Sequence, residues 1–406
     1  MQISALRQED VSSAIFVWKF TSLVPGAIIQ KARKEARIMS SFDNVITSGL
    51  ENVKLADLLS QKWEGVVCAL NNADTDYLLL SILEDHTAEV FAGIDEVAKT
   101  LGVNEKVLVL PEAKADVAGK VAAEASKHGV TLESGIVNVR KFSEYLMLHI
   151  ATAYDVALAT AGKYEDGVYV AVDGTVKKVS GTTKVSDLVN VSEAKAFVAG
   201  YKVYPASFAG KTVVELKVPN GVLRALSDRE CVVSYADKQL MASRKQSCGK
   251  CVFCREGLIQ LEHMQREIAA GRGKAEYLDM TREIGEAMCF STPCSMGQNS
   301  ALVALSAVEG FDETYQEHFR KVCDVCFSTE VYYVEPMACT GCTKCMSVCP
   351  QDAIDGAEGY IHLIDSVDCD RCGKCMEVCE ANCIKVSKGR TPKLPNRPYK
   401  LGRYRA

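Results

Sequence analysis

The amino-acid sequence predicts four consecutive folded units: an α/β domain, a small β-rich module, a helical domain and a cysteine-rich α+β domain. Three observations support this prediction. Apolar runs of strand length alternate with helical periodicity early in the chain, short β segments with turn residues follow, and sixteen of the 18 cysteines lie between Cys248 and Cys383. A chain of 406 residues with 48% hydrophobic residues can bury several cores.

Residues 1–165 are expected to form the α/β domain. Residues 65–70 and 106–111 are apolar runs typical of buried strands, and residues 116–128 have the spacing of an amphipathic helix. Cys68 lies in the first of these runs, so we expect it to be a core residue.

Residues 166–240 are expected to form the β-rich module. Residues 168–179 have the pattern of a hairpin that turns at an Asp-Gly pair, and residues 213–218 are a second strand-like run. Cys231 also lies in an apolar, strand-like run, which again predicts a core cysteine.

Residues 241–322 are expected to form the helical domain. Leucine, isoleucine and methionine recur at helical spacing over residues 257–270, 277–288 and 301–322. A domain dominated by helices therefore precedes most of the cysteines.

Three cysteines with the spacing C-x2-C-x2-C stand at the start of this helical domain. Cys248, Cys251 and Cys254 can bind three irons of a [4Fe–4S] cluster, but no fourth cysteine lies nearby in the sequence. An antiparallel helix pair could return Cys294 to this loop, and Cys289 is the competing fourth ligand.

The cysteine-rich domain, expected at residues 337–388, contains an internal repeat of thirty residues. Residues 339–349 and 369–379 both have the spacing C-x2-C-x2-C-x3-C, the ligand run of two-cluster bacterial ferredoxins. In that arrangement the fourth cysteine of each run binds the other cluster. Cluster A is expected to use Cys339, Cys342, Cys345 and Cys379. Cluster B is expected to use Cys369, Cys372, Cys375 and Cys349.

Disulfides and zinc are the alternatives for this repeat. Disulfide frameworks are typical of small secreted chains, and zinc sites rarely need a third closely spaced cysteine followed by a fourth. The second repeat has Glu380 where the first has Pro350, and this difference changes none of the ligand cysteines. Cys383 aligns with Ala353 and is expected to be a small buried thiol.

A candidate zinc site overlaps the linker expected at residues 323–336. His318, Cys323 and Cys326 have the spacing H-x4-C-x2-C, and Cys289 could supply the fourth ligand. The C-x-x-C pair could instead be a redox dithiol or two buried thiols.

A basic tail is expected at residues 389–406. Residues 385–406 carry eight basic residues and no acidic ones. This composition fits either a solvated, extended tail or an arm that lies on an acidic partner.

Residues 247–257 and 293–318 resemble the NADH-binding flavoprotein subunit of complex I and, more closely, the beta subunit of electron-bifurcating NAD-dependent hydrogenases. In that family the motif S-C-G-x-C-x-x-C-R-x-G and a distant C-x-x-G bind one [4Fe–4S] cluster, which implies Cys294 as the fourth ligand. The hydrogenase subunits also carry a two-cluster ferredoxin extension. The resemblance further implies a β-grasp module at residues 168–212 and part of a flavin-binding domain at residues 80–112.

The first domain departs from this family at the nucleotide sites. The family's glycine-rich flavin loop should precede Leu80, yet residues 44–79 contain only Gly49 and Gly65. The second flavin and nicotinamide segment is deleted between about residues 135 and 143, and no G-x-G-x-x-G motif or P-loop replaces it. We therefore expect a degenerate flavin domain that is kept for assembly and does not bind FMN.

Charge and hydropathy limit the location and the partners. The net charge of −5 gives no basic footprint for nucleic acid, and no apolar run is long enough to span a membrane. The first residues lack the pattern of a signal peptide. These features predict a cytoplasmic protein without direct membrane insertion, and no catalytic motif is found.

Three hypotheses for the function follow. The favoured one is an iron–sulfur electron-transfer subunit of a multisubunit oxidoreductase of anaerobic metabolism. It would relay single electrons through three [4Fe–4S] clusters, between a flavin or metal cofactor of a catalytic partner subunit and ferredoxin or ferredoxin-like centres. The second is an NADH-oxidising flavoprotein that retains FMN, and the third is a non-catalytic redox sensor or scaffold.

Overall fold

The structure is a computed structural model with a mixed α/β architecture. The residues that it describes are 45–47, 53–172, 174–192, 194–327, 330–366, 368–388 and 393–404. The parts of the predicted first domain and basic tail that fall at residues 1–44, 48–52, 389–392 and 405–406 lie outside the described residues. Among the described residues, no helix combines the length and apolar character needed to cross a lipid bilayer.

A four-stranded parallel sheet forms the core of the first region, with the strand order β3-β2-β1-β4. Its strands are β1 (Gly65–Ala69), β2 (Glu105–Leu110), β3 (Thr131–Ser134) and β4 (Tyr145–His149). The helices are α1 (Leu55–Leu59), α2 (Leu80–Asp85), α3 (Thr87–Leu101), α4 (Ala115–Lys127) and α5 (Ile150–Thr160). Strand β1 is buried along its whole length, because one of its faces packs against the helices and the other packs against the loop that contains Val137 and Phe142. Cys68 lies on the helix-facing side and is a core residue.

Short antiparallel strands follow in the second region. They are β5 (Val168–Val172) paired with β6 (Thr175–Val179), and β7 (Ala196–Ala199), β8 (Lys202–Pro205) and β9 (Leu223–Ala225) in the order β8-β7-β9. The predicted hairpin is confirmed. The predicted strand at residues 213–218 is wrong, because Val213–Leu216 form a helical turn, α6. Thr212 and Glu215 make a reciprocal capping box that begins this helix and outweighs the β propensity of the two valines.

Six helices form the third region. They are α7 (Val232–Gln246), α8 (Val252–Ala269), α9 (Glu276–Ser291), α10 (Ser295–Ser300), α11 (Leu302–Gly310) and α12 (Asp312–Phe319). The single run expected at residues 301–322 is divided at Phe311, and the boundary expected at residue 240 falls inside α7. Helices α7 and α8 pack as an antiparallel hairpin, in which Gln265 near the end of α8 donates to the carbonyl of Val233 at the start of α7.

The cysteine-rich region is a duplicated unit in its backbone as well as in its sequence. Its strands are β10 (Glu330–Val334) paired with β13 (Ile384–Lys388), and β11 (Ile354–Asp355) paired with β12 (Leu363–Ile364), and its helices are α13 (Lys344–Ser347) and α14 (Lys374–Glu377). Left-handed backbone conformations occur at three pairs of positions thirty residues apart: Gly341 and Arg371, Thr343 and Gly373, and Asp352 and Asn382. Each repeat therefore winds its cysteine loop in the same way.

The described part of the basic tail folds back on the chain. Ile361 donates a backbone hydrogen bond to Tyr399, and Leu401 donates one to Gly359. The tail thus covers the loop between the two cysteine repeats, an arrangement that neither sequence-based alternative included.

Candidate metal centres

Four cysteines converge where the helix hairpin turns. Cys251 caps the start of α8, Cys254 lies in its first turn, and Cys294 caps α10. Burial, followed by the nearby thiols of Cys294, Cys248 and Cys251, raises the pKa of Cys254. The thiol of Cys254 therefore lies within electrostatic range of the other three thiols, as expected for the ligands of one cluster.

The structure places Cys294 at this site and Cys289 elsewhere. Burial raises the pKa of the Cys294 thiol, while the backbone N–H groups of Gly297 and Met296 and the Asn72 side chain oppose the shift. The thiol of Cys289 instead donates to the carbonyl of Gln298 at 3.1 Å. The helix pair returns Cys294 because the turn between α9 and α10 lies beside the turn between α7 and α8.

Asn72 joins this cysteine site to the carboxyl edge of the parallel sheet. Its side chain accepts from the backbone of Val137 at 2.8 Å and donates to the same residue at 2.9 Å. Its backbone N–H donates to Ser295 and its carbonyl accepts from Gln246. Ligands of open α/β sheets bind outside the carboxyl ends of the strands. In this chain, hydrogen bonds of Asn72 connect the loops at that edge to each other.

Eight cysteines form two groups in the duplicated region. Burial, followed mainly by the thiols of Cys339 and Cys342, raises the pKa of Cys345 to about 11. The four cysteines expected to bind cluster A line one cavity, together with Cys383 and His362. Burial and the neighbouring thiols of Cys369 and Cys372 likewise raise the pKa of Cys375 to about 11.

The fourth cysteines cross between the repeats. Burial raises the pKa of Cys369 in the second repeat most, and the neighbouring Asp370 and then Cys349 of the first repeat raise it further. Cys379 of the second repeat lies in the cavity of the first. The structure therefore brings together the two ligand sets that the ferredoxin spacing predicts.

Backbone N–H groups point at sulfur atoms in both groups. Ala353 donates to the Sγ of Cys349 at 3.3 Å, and Cys383 donates to the Sγ of Cys379 at 3.4 Å. Donors of this kind stabilise thiolates and cluster sulfur, so each set of four cysteines fits a [4Fe–4S] cluster. Cys383 is buried, and its own Sγ lies 3.3 Å from the Sγ of Cys379.

A different kind of site, with a histidine among its ligands, lies at the other end of the helix hairpin. Cys231, His318, Cys323 and Cys326 place one ligand atom each within 4.8 Å of one another. The Nδ1 of His318 lies 2.8 Å from the carbonyl of Thr314, which can only accept a hydrogen bond. Nε2 therefore faces the cysteines, at 3.6 Å from the Sγ of Cys231, and can bind a metal there once it loses its proton. Burial lowers the pKa of His318, but hydrogen bonding to Cys323 and Cys326 outweighs this effect and raises the pKa to about 10.

The donor set fits a tetrahedral zinc ion. Zinc–sulfur bonds of about 2.3 Å put tetrahedral ligand atoms roughly 4 Å apart, and the Sγ atoms of Cys231 and Cys323 are 3.9 Å apart. Hydrogen bonding to Cys323 and Cys326 raises the pKa of Cys231, whereas hydrogen bonding with Cys231 lowers the pKa of Cys323. One thiol thus holds its proton more tightly and its neighbour less tightly. All four ligand atoms are close enough for one divalent cation to bind them.

The predicted fourth member of this group requires a correction. Cys231 lies in the place assigned to Cys289, and it caps the start of α7 rather than lying in a strand. Its partners are at least 87 residues away in the chain, so no spacing motif could reveal it. The apolar run around Cys231 indicated burial, and it contained no signal of a metal ligand.

The Cys231 group and the Cys248 group lie at opposite ends of the helix hairpin. Helix α7 has 15 residues, which corresponds to about 22 Å at 1.5 Å per residue. Cys231 stands at its first end and Cys248 follows its last. At the first end, Arg229 donates to the carbonyl of Cys372 at 2.6 Å, so the cluster B loop contacts the side of the hairpin remote from Cys248.

Two family models match the cysteine-bearing parts of the chain. Residues 235–318 match the NADH-ubiquinone oxidoreductase-F iron-sulfur binding region, and residues 332–380 match the 4Fe-4S dicluster domain. The chain therefore carries [4Fe–4S]-binding domains of oxidoreductase type, and the predicted resemblance is confirmed.

Two curated relatives agree with this assignment over part of the chain. The chain is 32% identical to the NADP-reducing hydrogenase subunit HndC of Solidesulfovibrio fructosivorans over 146 residues, which are 35% of this chain and 30% of the relative. It is 29% identical to the F subunit of the NADH-quinone oxidoreductase of Streptomyces coelicolor over 114 residues, 28% of this chain and 25% of the relative. The match thus spans less than a third of either relative.

A crystal structure of NAD+-reducing [NiFe]-hydrogenase in the H2-reduced state has a similar fold. The TM-score is 0.58 at 14% sequence identity, over 68% of this chain and 61% of that chain. At this identity the likeness concerns the fold alone.

Proposed function

We propose that this chain is an electron-transfer subunit that relays single electrons through three [4Fe–4S] clusters. The observation that carries the proposal is the convergence of twelve cysteines into three sets of four. Cys248, Cys251, Cys254 and Cys294 would hold the first cluster, and the two crossed sets of the duplicated region would hold clusters A and B. The clusters supply one-electron chemistry, and the protein positions them and sets their potentials.

The catalytic site of the complex is expected on a partner subunit. The hydrogen bonds of Asn72 and Gln246 close the carboxyl edge of the sheet with groups of the chain itself, which supports the loss of FMN. The names of the curated relatives describe subunits of larger complexes. A flavin- or metal-containing subunit would therefore exchange electrons with this chain, and ferredoxin is a second candidate partner. The cytoplasmic location stays a prediction.

The group around Cys231 would hold a structural zinc ion. Its four donors are closely spaced and mostly buried, and the set of three cysteines and one histidine is typical of closed zinc sites. Zinc there would join the start of α7 to the segment that leads into the duplicated region.

Reduction of the isolated chain tests the proposal. After anaerobic purification, dithionite should bleach the visible cluster absorption, whereas NADH alone should leave it unchanged because the chain has no flavin to accept hydride. A flavin spectrum that NADH bleaches would instead favour the flavoprotein hypothesis. Clusters that dithionite reduces but no redox partner reoxidises would favour the sensor or scaffold.

A further inference from the structure

A buried histidine faces one ligand of cluster A. His362 is 1% exposed and lies just before β12, between the two cysteine repeats. Its Nδ1 is 3.8 Å from the Sγ of Cys339, and its ring lines the same cavity as the cluster A cysteines. A ligand of this type accepts hydrogen bonds from its surroundings.

The neighbouring backbone holds this ring in place. A Cβ added at Gly356 would lie 2.4 Å from the ring carbon Cδ2 of His362, so glycine provides the space for the imidazole. The preceding residue, Ile361, donates its backbone N–H to the carbonyl of Tyr399 in the tail. The ring is thus packed on one side and anchored through its chain neighbour on the other.

The ring has one proton to donate, and the surroundings favour one nitrogen. A neutral imidazole carries its proton on one of the two ring nitrogens. Among the described residues, Nε2 has no hydrogen-bond partner. A thiolate sulfur accepts but does not donate, so the proton is best placed on Nδ1, which faces Cys339.

We propose that the Nδ1–H of His362 donates a hydrogen bond to the Sγ of Cys339 and thereby raises the reduction potential of cluster A. The inference rests on the proposed function, because it needs a cluster on Cys339. Reduction adds one negative charge, which spreads onto the ligand sulfurs, and a fixed donor stabilises the reduced form more than the oxidised form.

Two substitutions separate a hydrogen bond from a packing effect. His362→Leu fills the space without a donor, whereas His362→Asn keeps an amide near the position of Nδ1. Redox titrations of the full chain, followed by EPR, should show one cluster wave at lower potential in His362→Leu and near the wild-type value in His362→Asn. The other waves should not move, which makes them an internal control.

His362→Gln provides a second variant without the donor, in case His362→Leu fails to assemble its clusters. Its amide reaches the position of Nε2 rather than Nδ1, so it should behave like His362→Leu while keeping a polar side chain. Unmoved potentials in fully loaded His362→Leu, or equal shifts in the Asn and Gln variants, would overturn the hydrogen bond. A wild-type chain without clusters in the duplicated region would overturn the proposed function instead, and the two failures are distinct.

Discussion

The polar groups at the carboxyl edge of the parallel sheet and those at the cysteine sites have different partners. At the sheet edge, Asn72 gives both ends of its side chain to the backbone of Val137, and Gln246 binds the adjoining loop. At the cysteine sites, thiols from distant segments converge and backbone N–H groups point at their sulfur atoms. The difference shows that polar side chains at the sheet edge bind other groups of the chain, whereas the thiols of the cysteine sites face one another.

The largest effect is expected from a cysteine at the helix turn. Cys294→Ala should remove one cluster, about four irons per chain, because it deletes one of four thiolate ligands. Cys289→Ala, from the same segment, should keep all iron because its thiol binds the carbonyl of Gln298. Iron analysis and EPR of the two variants measure this difference. Equal iron loss in both would mean that the two cysteines are not distinguished as the structure implies.

Loss of zinc should have the next largest effect. Cys323→Ala removes a donor from the Cys231 group, so we expect no bound zinc and a free energy of unfolding lower by more than about 3 kcal/mol. Metal analysis and urea unfolding provide the measurement. Cys289→Ala again serves as the control, since the first sequence-based assignment made it a ligand. Zinc loss in that variant would restore the first assignment.

A smaller loss of stability is expected at the sheet edge. Asn72→Ala leaves a buried backbone donor and acceptor of Val137 without partners, which should lower the free energy of unfolding by about 3 kcal/mol. Asn190→Ala changes an exposed residue whose side chain, among the described residues, accepts from its near neighbour Ser192, so it should change the free energy of unfolding by less than about 0.5 kcal/mol. A similar small change at Asn72 would show that this edge is not held by its side chain.

The smallest expected effect is a pH-dependent loss of stability caused by His149, at the start of α5. Burial lowers the pKa of His149 to about 4, from an ordinary value near 6.5. The unfolded chain then binds the extra proton first, so stability falls as pH drops from about 6.5 to 4, by at most about 1.4 kcal/mol per pH unit. His149 also accepts from the N–H of Ala151 as the cap of α5. His149→Asn keeps a capping acceptor without a titrating ring.

Unfolding measured across this pH range compares the two proteins. The stability of His149→Asn should decline less steeply than that of the wild type, since other groups titrate equally in both. Parallel curves would mean that His149 takes its proton as readily in the folded chain as in the unfolded one.

Local patterns determined what could be predicted from the sequence. The ferredoxin spacing predicted two sets of four cysteines because its ligands follow one another within a few residues, and the hairpin at β5 and β6 was predicted from its turn. Cys231 could not be placed, because the residues that it meets, His318, Cys323 and Cys326, follow it by 87 residues or more in the chain. The valines at residues 213 and 214 were misleading, since the capping box between Thr212 and Glu215 determined the local structure.

Quantitative EPR of the dithionite-reduced chain tests the central claim most directly. Three reduced [4Fe–4S] clusters should give about three spins per chain. Clusters A and B are bound by interleaved cysteines and should broaden each other's signals. The cluster at Cys248 should give a narrow, uncoupled signal, because the length of α7 separates it from the end of the hairpin that contacts the cluster B loop. Two spins or fewer in a fully reduced chain would contradict the account.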